Sequence, residues 1–118
     1  MAEGYQEIAK LPRLTLASYH TKNMQYEWDE AKRESNLRKH GLDFDDADLV
    51  YENLHKMTVP ARKGRESRWQ DIAVVDLNGD ILTLVYTYRG YNIRIISFRK
   101  ASRKERRMYD NFRKTKPN

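Results

Sequence analysis

The chain has 118 residues, with 23 Lys and Arg against 17 Asp and Glu, and a formal net charge of +6. That length suits one domain with a small core, and a composition of 39% hydrophobic and 34% charged residues is too polar for a membrane protein and too apolar for a wholly disordered one. The absence of cysteine excludes disulfides, thiolate metal sites and a cysteine nucleophile.

Residues 1–23 show no clear period and make a poor signal peptide, so a cytoplasmic setting is expected. They read as an N-terminal extension of uncertain order, with Met24 as an alternative start. The organised domain spans 24–114, and 115–118 form a tail. Gln25–Trp28 reads as a short strand with Tyr26 and Trp28 on one face. Asp29 is suited to cap a helix running to about Lys39, with only a weak apolar stripe, and Gly41 stops it. Asp43 caps a second helix over about 44–53, in which Phe44, Ala47 and Tyr51 recur at near-helical spacing.

From here the period becomes alternating. Lys56–Val59 reads as a strand ended by Pro60, and Ala61–Ser67 as a basic loop. Arg68–Leu77, Asp80–Tyr88 and Tyr91–Arg99 form a three-stranded antiparallel meander, turned at Asn78-Gly79 and Arg89-Gly90. Ser102 and Glu105 make a capping box that opens a final helix over about 102–114. Met108, Tyr109 and Phe112 give that helix one apolar side, and its other sides are basic. The class is therefore α+β: a small antiparallel sheet, two N-terminal helices and one basic C-terminal helix, with one sheet face open for chemistry.

Charge is unevenly spread. Residues 89–118 carry 11 Lys and Arg against Glu105 and Asp110, whereas residues 1–88 are net acidic. Such a basic surface suits nucleic acid, an anionic membrane or an acidic protein. His20, His40 and His55 show no metal-ligand spacing, and no nucleotide-binding glycine motif or nucleophile elbow occurs. Simple alternation along Tyr91–Arg99 places Arg94, Ile96 and Phe98 on one face and Ile93, Ile95, Ser97 and Arg99 on the other. These arginines suit a phosphate clamp, because the guanidinium is a planar fork with permanent charge. A purely structural reading pairs Arg94 or Arg99 with Asp71, Asp76 or Glu27. Tyr86, Tyr88 and Tyr91 are candidates for stacking on unpaired bases. His40, at a helix end, is suited to proton transfer or merely complements the helix dipole. Arg68 stands at a strand entrance facing a concave surface.

Tyr26-Glu27-Trp28-Asp29, Lys32, Asn36, Lys39-His40-Gly41 and Phe44-x-x-Ala47 resemble the N-terminal signature of BrnT toxins. Arg68-Trp69, Leu84-Val85-Tyr86-Thr87 and Arg94-Ile95-Ile96-Ser97-x-Arg99-Lys100-Ala101 resemble that family's strands, with Phe98 where alanine is common. Glu105-Arg106 and Tyr109 resemble its closing helix. The resemblance covers about residues 25–110. It implies a RelE/ParE-like fold and a type II toxin that cleaves RNA and blocks translation. It also implies neutralisation by a BrnA-like antitoxin, which supplies the DNA-binding domain when the hetero-oligomeric complex represses its operon.

The reaction expected on this resemblance is metal-independent and needs no cofactor. The 2′-hydroxyl attacks the adjacent phosphate to give a 2′,3′-cyclic phosphate. His40 is the candidate for proton transfer, with Lys39 or Glu27 as substitutes, and Arg68, Arg94 and Arg99 stabilise the phosphorane charge. Lys39, Tyr88, Lys100 and Arg103 are candidate RNA contacts. Two other classes remain: a noncatalytic nucleic-acid-binding regulator, and a protein-interaction module that uses the same basic surface.

Overall fold

The computed structural model describes residues 25–75 and 79–115. The expectations for the N-terminal extension, for Met24, for Asn78 and for residues 116–118 lie outside these. In chain order the elements are β1 (Tyr26–Glu27), α1 (Glu30–His40), a 3-10 turn (Phe44–Asp46), α2 (Asp48–Tyr51), β2 (Met57–Pro60), β3 (Trp69–Val75), β4 (Asp80–Arg89), β5 (Asn92–Lys100) and α3 (Arg103–Thr115). The fold is α+β, as expected. The sheet has five strands in the order β1-β5-β4-β3-β2. Neighbours from β2 to β5 are antiparallel, and β1 lies parallel on β5, so the sheet is mixed rather than purely antiparallel.

The expected meander is present. β3 and β4 pair as far as Val75–Asp80, and the first turn, expected at Asn78-Gly79, falls mostly outside the described residues. Arg89 pairs with Asn92, which puts the second turn on Gly90-Tyr91, and Gly90 supplies the positive φ of 59° that this tight reversal requires. The expected helix over 44–53 is shortened to a 3-10 turn and a single α-turn. Phe44, Ala47 and Val50 still share one buried side.

One face of the sheet carries the main core. Phe44, Ala47 and Val50 pack on Ala73, Leu82, Leu84, Tyr86, Ile93, Ile95 and Phe98. The opposite face is divided. At one end α3 lays Met108, Tyr109 and Phe112 over Met57, Ile72, Val74, Ile81 and Ala101. The other end has polar and basic side chains in place of an apolar cluster.

α1 has almost no apolar face, as expected, and polar contacts hold it instead. The Asp29 side chain accepts from the Ala31 and Lys32 amides, and Gly41 ends the helix at φ 69°. Arg33 donates two parallel hydrogen bonds of 2.8 Å to the Asp43 carboxylate. The Asn36 amide donates to the Phe98 carbonyl at 2.7 Å, and its oxygen accepts from the Phe98 N–H at 3.1 Å. β1 pairs only as far as Arg94, so Asn36 satisfies backbone groups on the edge of β5 that β1 leaves open. Tyr26 pairs with Ile93 and Asn36 meets Phe98, so α1 runs in the same direction as β5 along that edge.

Candidate active site

A register shift in β5 creates the site. Val85 pairs with Ser97 and Tyr86 with Ile95, leaving Ile96 as the extra residue of a β-bulge. The bulge shifts the phase of every residue that follows it. Phe98 therefore joins Ile93 and Ile95 in the core. Arg99 opposes Thr83, and Arg94 opposes Thr87, on the other face. Simple alternation put Arg94 and Arg99 on opposite faces; the bulge puts them on one face. Arg68 immediately precedes β3, where Trp69 opposes Tyr86, so continued alternation places it on that face too, across from Thr87. Strand spacing sets Arg68 and Arg94 about 10 Å apart across β4, with Arg99 about 15 Å along β5.

All three arginines meet carboxylates, and the partners differ. Arg68 Nε donates to Glu66 Oε1 at 2.7 Å. Arg94 Nη1 donates to Glu27 Oε2 at 3.0 Å, the pairing that the structural reading of the sequence named. Both pairs are partly exposed, with side-chain accessibilities of 22% to 38%. Arg99 is held by both terminal nitrogens: Nη1 to Glu105 Oε1 at 2.8 Å and Nη2 to Oε2 at 3.0 Å. Glu105 is buried, and its carboxyl is lowered to about 2, chiefly by the Arg99 guanidinium and further by the Ser102 amide and the Thr83 hydroxyl. Glu27 is also held below its usual range, first by the Asn92 amide and then by Arg94. Glu66 is lowered mainly by Arg68, with smaller contributions from Arg89 and Lys32.

The remaining candidates divide. His40 is exposed at the end of α1, one helical turn beyond Asn36, and makes no side-chain hydrogen bond among the described residues. Since α1 runs with β5, His40 lies past Phe98, while Arg68 and Arg94 stand toward the start of that strand. Lys39 is exposed beside it. Tyr86 is buried and donates to the Asp71 carboxylate, and Tyr88 packs edge-on against it and shares a 2.9 Å hydroxyl contact with Tyr51. Tyr86 thus belongs to the core, whereas Tyr88 is 45% exposed at its edge. Tyr91 is 79% exposed on the β4–β5 turn. Lys100 and Arg103 are exposed where β5 passes into α3. Among the described residues, no group of three His, Cys, Asp or Glu is placed to hold a metal, and no helix is long and apolar enough to cross a membrane.

A family profile described as "Ribonuclease toxin, BrnT, of type II toxin-antitoxin system" matches residues 28–105, more than half of the chain. The chain belongs to the BrnT family. It is therefore a ribonuclease toxin of a type II toxin-antitoxin system, a class that implies an RNA substrate and an antitoxin partner. No curated protein matches the sequence.

Within this BrnT fold, reasoning from sequence missed residues that complete the arginine face. Glu66 and Glu105 were not paired with their arginines. The i,i+2 offset from Glu66 to Arg68 was the available signal for one, and the double duty of a capping-box glutamate left no signal for the other. Lys32 and Arg89 add positive potential near Glu66. They come from α1 and β4, and only the folded sheet brings them to the same end.

Proposed function

We propose that the chain is an endoribonuclease that cuts RNA at the arginine face without a metal ion. The observation that carries this reading is the placing of Arg68, Arg94 and Arg99 on one sheet face, with Arg99 against the start of α3 and the other two beyond it, in a chain of a ribonuclease toxin family. The 2′-oxygen forms a bond to phosphorus and the bond from phosphorus to the 5′-oxygen breaks. A base takes the 2′-hydroxyl proton, the 5′-oxygen gains a proton, and a 2′,3′-cyclic phosphate remains. Charge accumulates on the non-bridging oxygens, and preorganised guanidinium groups stabilise it.

Arginine stays protonated and is a poor base. For the proton acceptor the geometry favours Glu27 over His40, because Glu27 stands beside Arg94 on the arginine face. Lys39, Lys100 and Arg103 extend the cationic surface that guides RNA, and Tyr88 contributes at the rim. RNA cleavage in the cytoplasm then inhibits translation. A BrnA-like antitoxin neutralises the toxin in a hetero-oligomeric complex, and that antitoxin brings the complex to operator DNA.

The test is incubation of the purified chain with RNA in EDTA, followed by analysis of the ends. Fragments that carry cyclic phosphates support the reading. Intact RNA with strong, salt-dependent binding identifies a noncatalytic regulator instead. Neither cleavage nor binding leaves a protein-interaction module.

A further inference from the structure

We propose that Glu105 is a positioning residue that aims Arg99 at the scissile phosphate. This rests on the reading that Arg99 meets that phosphate.

Glu105 lies in the first turn of α3 and gathers donors from three other elements. Its Oε1 accepts from the Ser102 amide at 2.8 Å, the Thr83 hydroxyl of β4 at 2.9 Å and Arg99 Nη1 of β5 at 2.8 Å. Its Oε2 accepts from Arg99 Nη2 at 3.0 Å and from the Gln70 amide of β3 at 3.4 Å. A capping box needs only one of these oxygens, to meet the amide of the capping serine. The second oxygen, buried against the sheet, serves Arg99 and Gln70. Two parallel bonds fix the plane of a guanidinium, which a single bond does not.

The other two arginines are held more loosely. Arg68 and Arg94 are each held by one carboxylate bond at a partly exposed site, so an arriving phosphate can exchange for the glutamate. Glu105 is too enclosed and too fully bonded to be exchanged. Its side chain is 12% exposed, against 27% for Arg99. Arg99 keeps its Nε–H without a partner among the described residues, so it can bind a phosphate while Glu105 still holds the fork. Arg99 is thus fixed before RNA arrives, whereas Arg68 and Arg94 are released by it. Misplacement by about 1 Å at such a group costs on the order of 100-fold in rate.

The experiment is a double-mutant cycle on the full chain with Glu105→Gln, Arg99→Ala and the double variant. Single-turnover cleavage at saturating RNA is read beside RNA affinity and thermal stability. Ser102→Ala serves as a control that weakens the helix cap and leaves the Arg99 contacts in place. The expected result is a cleavage loss of about tenfold or more in Glu105→Gln with RNA affinity unchanged. No further loss is expected when Glu105→Gln is added to Arg99→Ala. Ser102→Ala lowers the melting temperature and still cleaves at the normal rate.

Normal cleavage by Glu105→Gln, losses that multiply in the double variant, or an equal cleavage loss in Ser102→Ala overturns the positioning role and leaves the nuclease reading standing. Normal cleavage by Arg99→Ala removes Arg99 from the site, and the proposal falls with that part of the reading. If Glu105→Gln does not fold, Thr83→Val carries the same test, because it removes one hydroxyl that fixes Oε1 and leaves charge and cap intact. A several-fold loss that disappears in the Arg99→Ala background supports the role, and no loss overturns it.

Discussion

The two halves of the sheet face that bears α3 use the same strands for opposite ends. Under α3, residues from β2, β3 and the start of β4 bury apolar side chains against Tyr109, Met108 and Phe112. From the start of α3 onward, the same face presents Arg99, then Arg68 and Arg94, each neutralised by a glutamate. Apolar burial contributes stability roughly in proportion to area, whereas partly exposed ion pairs, here those of Arg68 and Arg94, contribute about 0–1 kcal/mol each. One half of the face therefore holds the molecule together, and the other holds charge ready at little gain in stability.

Substitutions test that division. Tyr109→Ala removes a buried ring from the apolar half, together with its hydrogen bond to the His55 carbonyl. It should cost about 3–5 kcal/mol in chemical denaturation, enough to threaten the fold of so small a domain. Arg94→Ala should do the reverse: RNA cleavage falls about 100-fold or more, while stability changes by less than about 1 kcal/mol. A variant with normal cleavage and a large stability loss would erase the distinction.

Glu105 stands on the boundary between the halves, and acid probes it. Its carboxyl sits near 2 when folded against an ordinary value of 4.5, so the unfolded chain binds the proton more tightly. Its contribution, about 3 kcal/mol at most, is complete above pH 5 and is lost as pH falls from about 5 to 2. Urea denaturation between those limits should show the decline, and Glu105→Gln should flatten it. Asn36→Ala should cost about 1–3 kcal/mol, because it leaves the Phe98 N–H and C=O at the strand edge without their partner. The smallest effect is expected from His40→Ala: an exposed side chain with no hydrogen bond should change neither stability nor cleavage appreciably, whereas Glu27→Gln should slow cleavage. Loss of cleavage in His40→Ala alone would return the proton-transfer role to the histidine.

Much of this fold was legible because its signals are local. Asp29 and Gly41 bound α1, the change of period after residue 55 announces strands, and Ser102 with Glu105 opens α3 where expected. The site was less legible for a physical reason. One extra residue, Ile96, moves Phe98 into the core and Arg99 to the face of Arg94, and strict alternation has no means of showing where a strand slips. The place of His40 was hidden for a related reason. Its chemistry is suggestive, yet its position depends on the edge along which Asn36 docks α1, which is a long-range contact. Tyr86, read as a stacking platform, is buried because Asp71 draws its hydroxyl into the core, while Tyr88 stays half-exposed beside it.

That a single carboxylate both starts the last helix and grips a strand arginine has a consequence for how the toxin matures. Glu105 follows all five strands in the chain, so a nascent polypeptide that has released β5 still has nothing to orient Arg99 until α3 begins. On the reading proposed above, products cut short before this residue are weak nucleases, and potency in the cell tracks the arrival of α3 rather than the mere presence of the sheet.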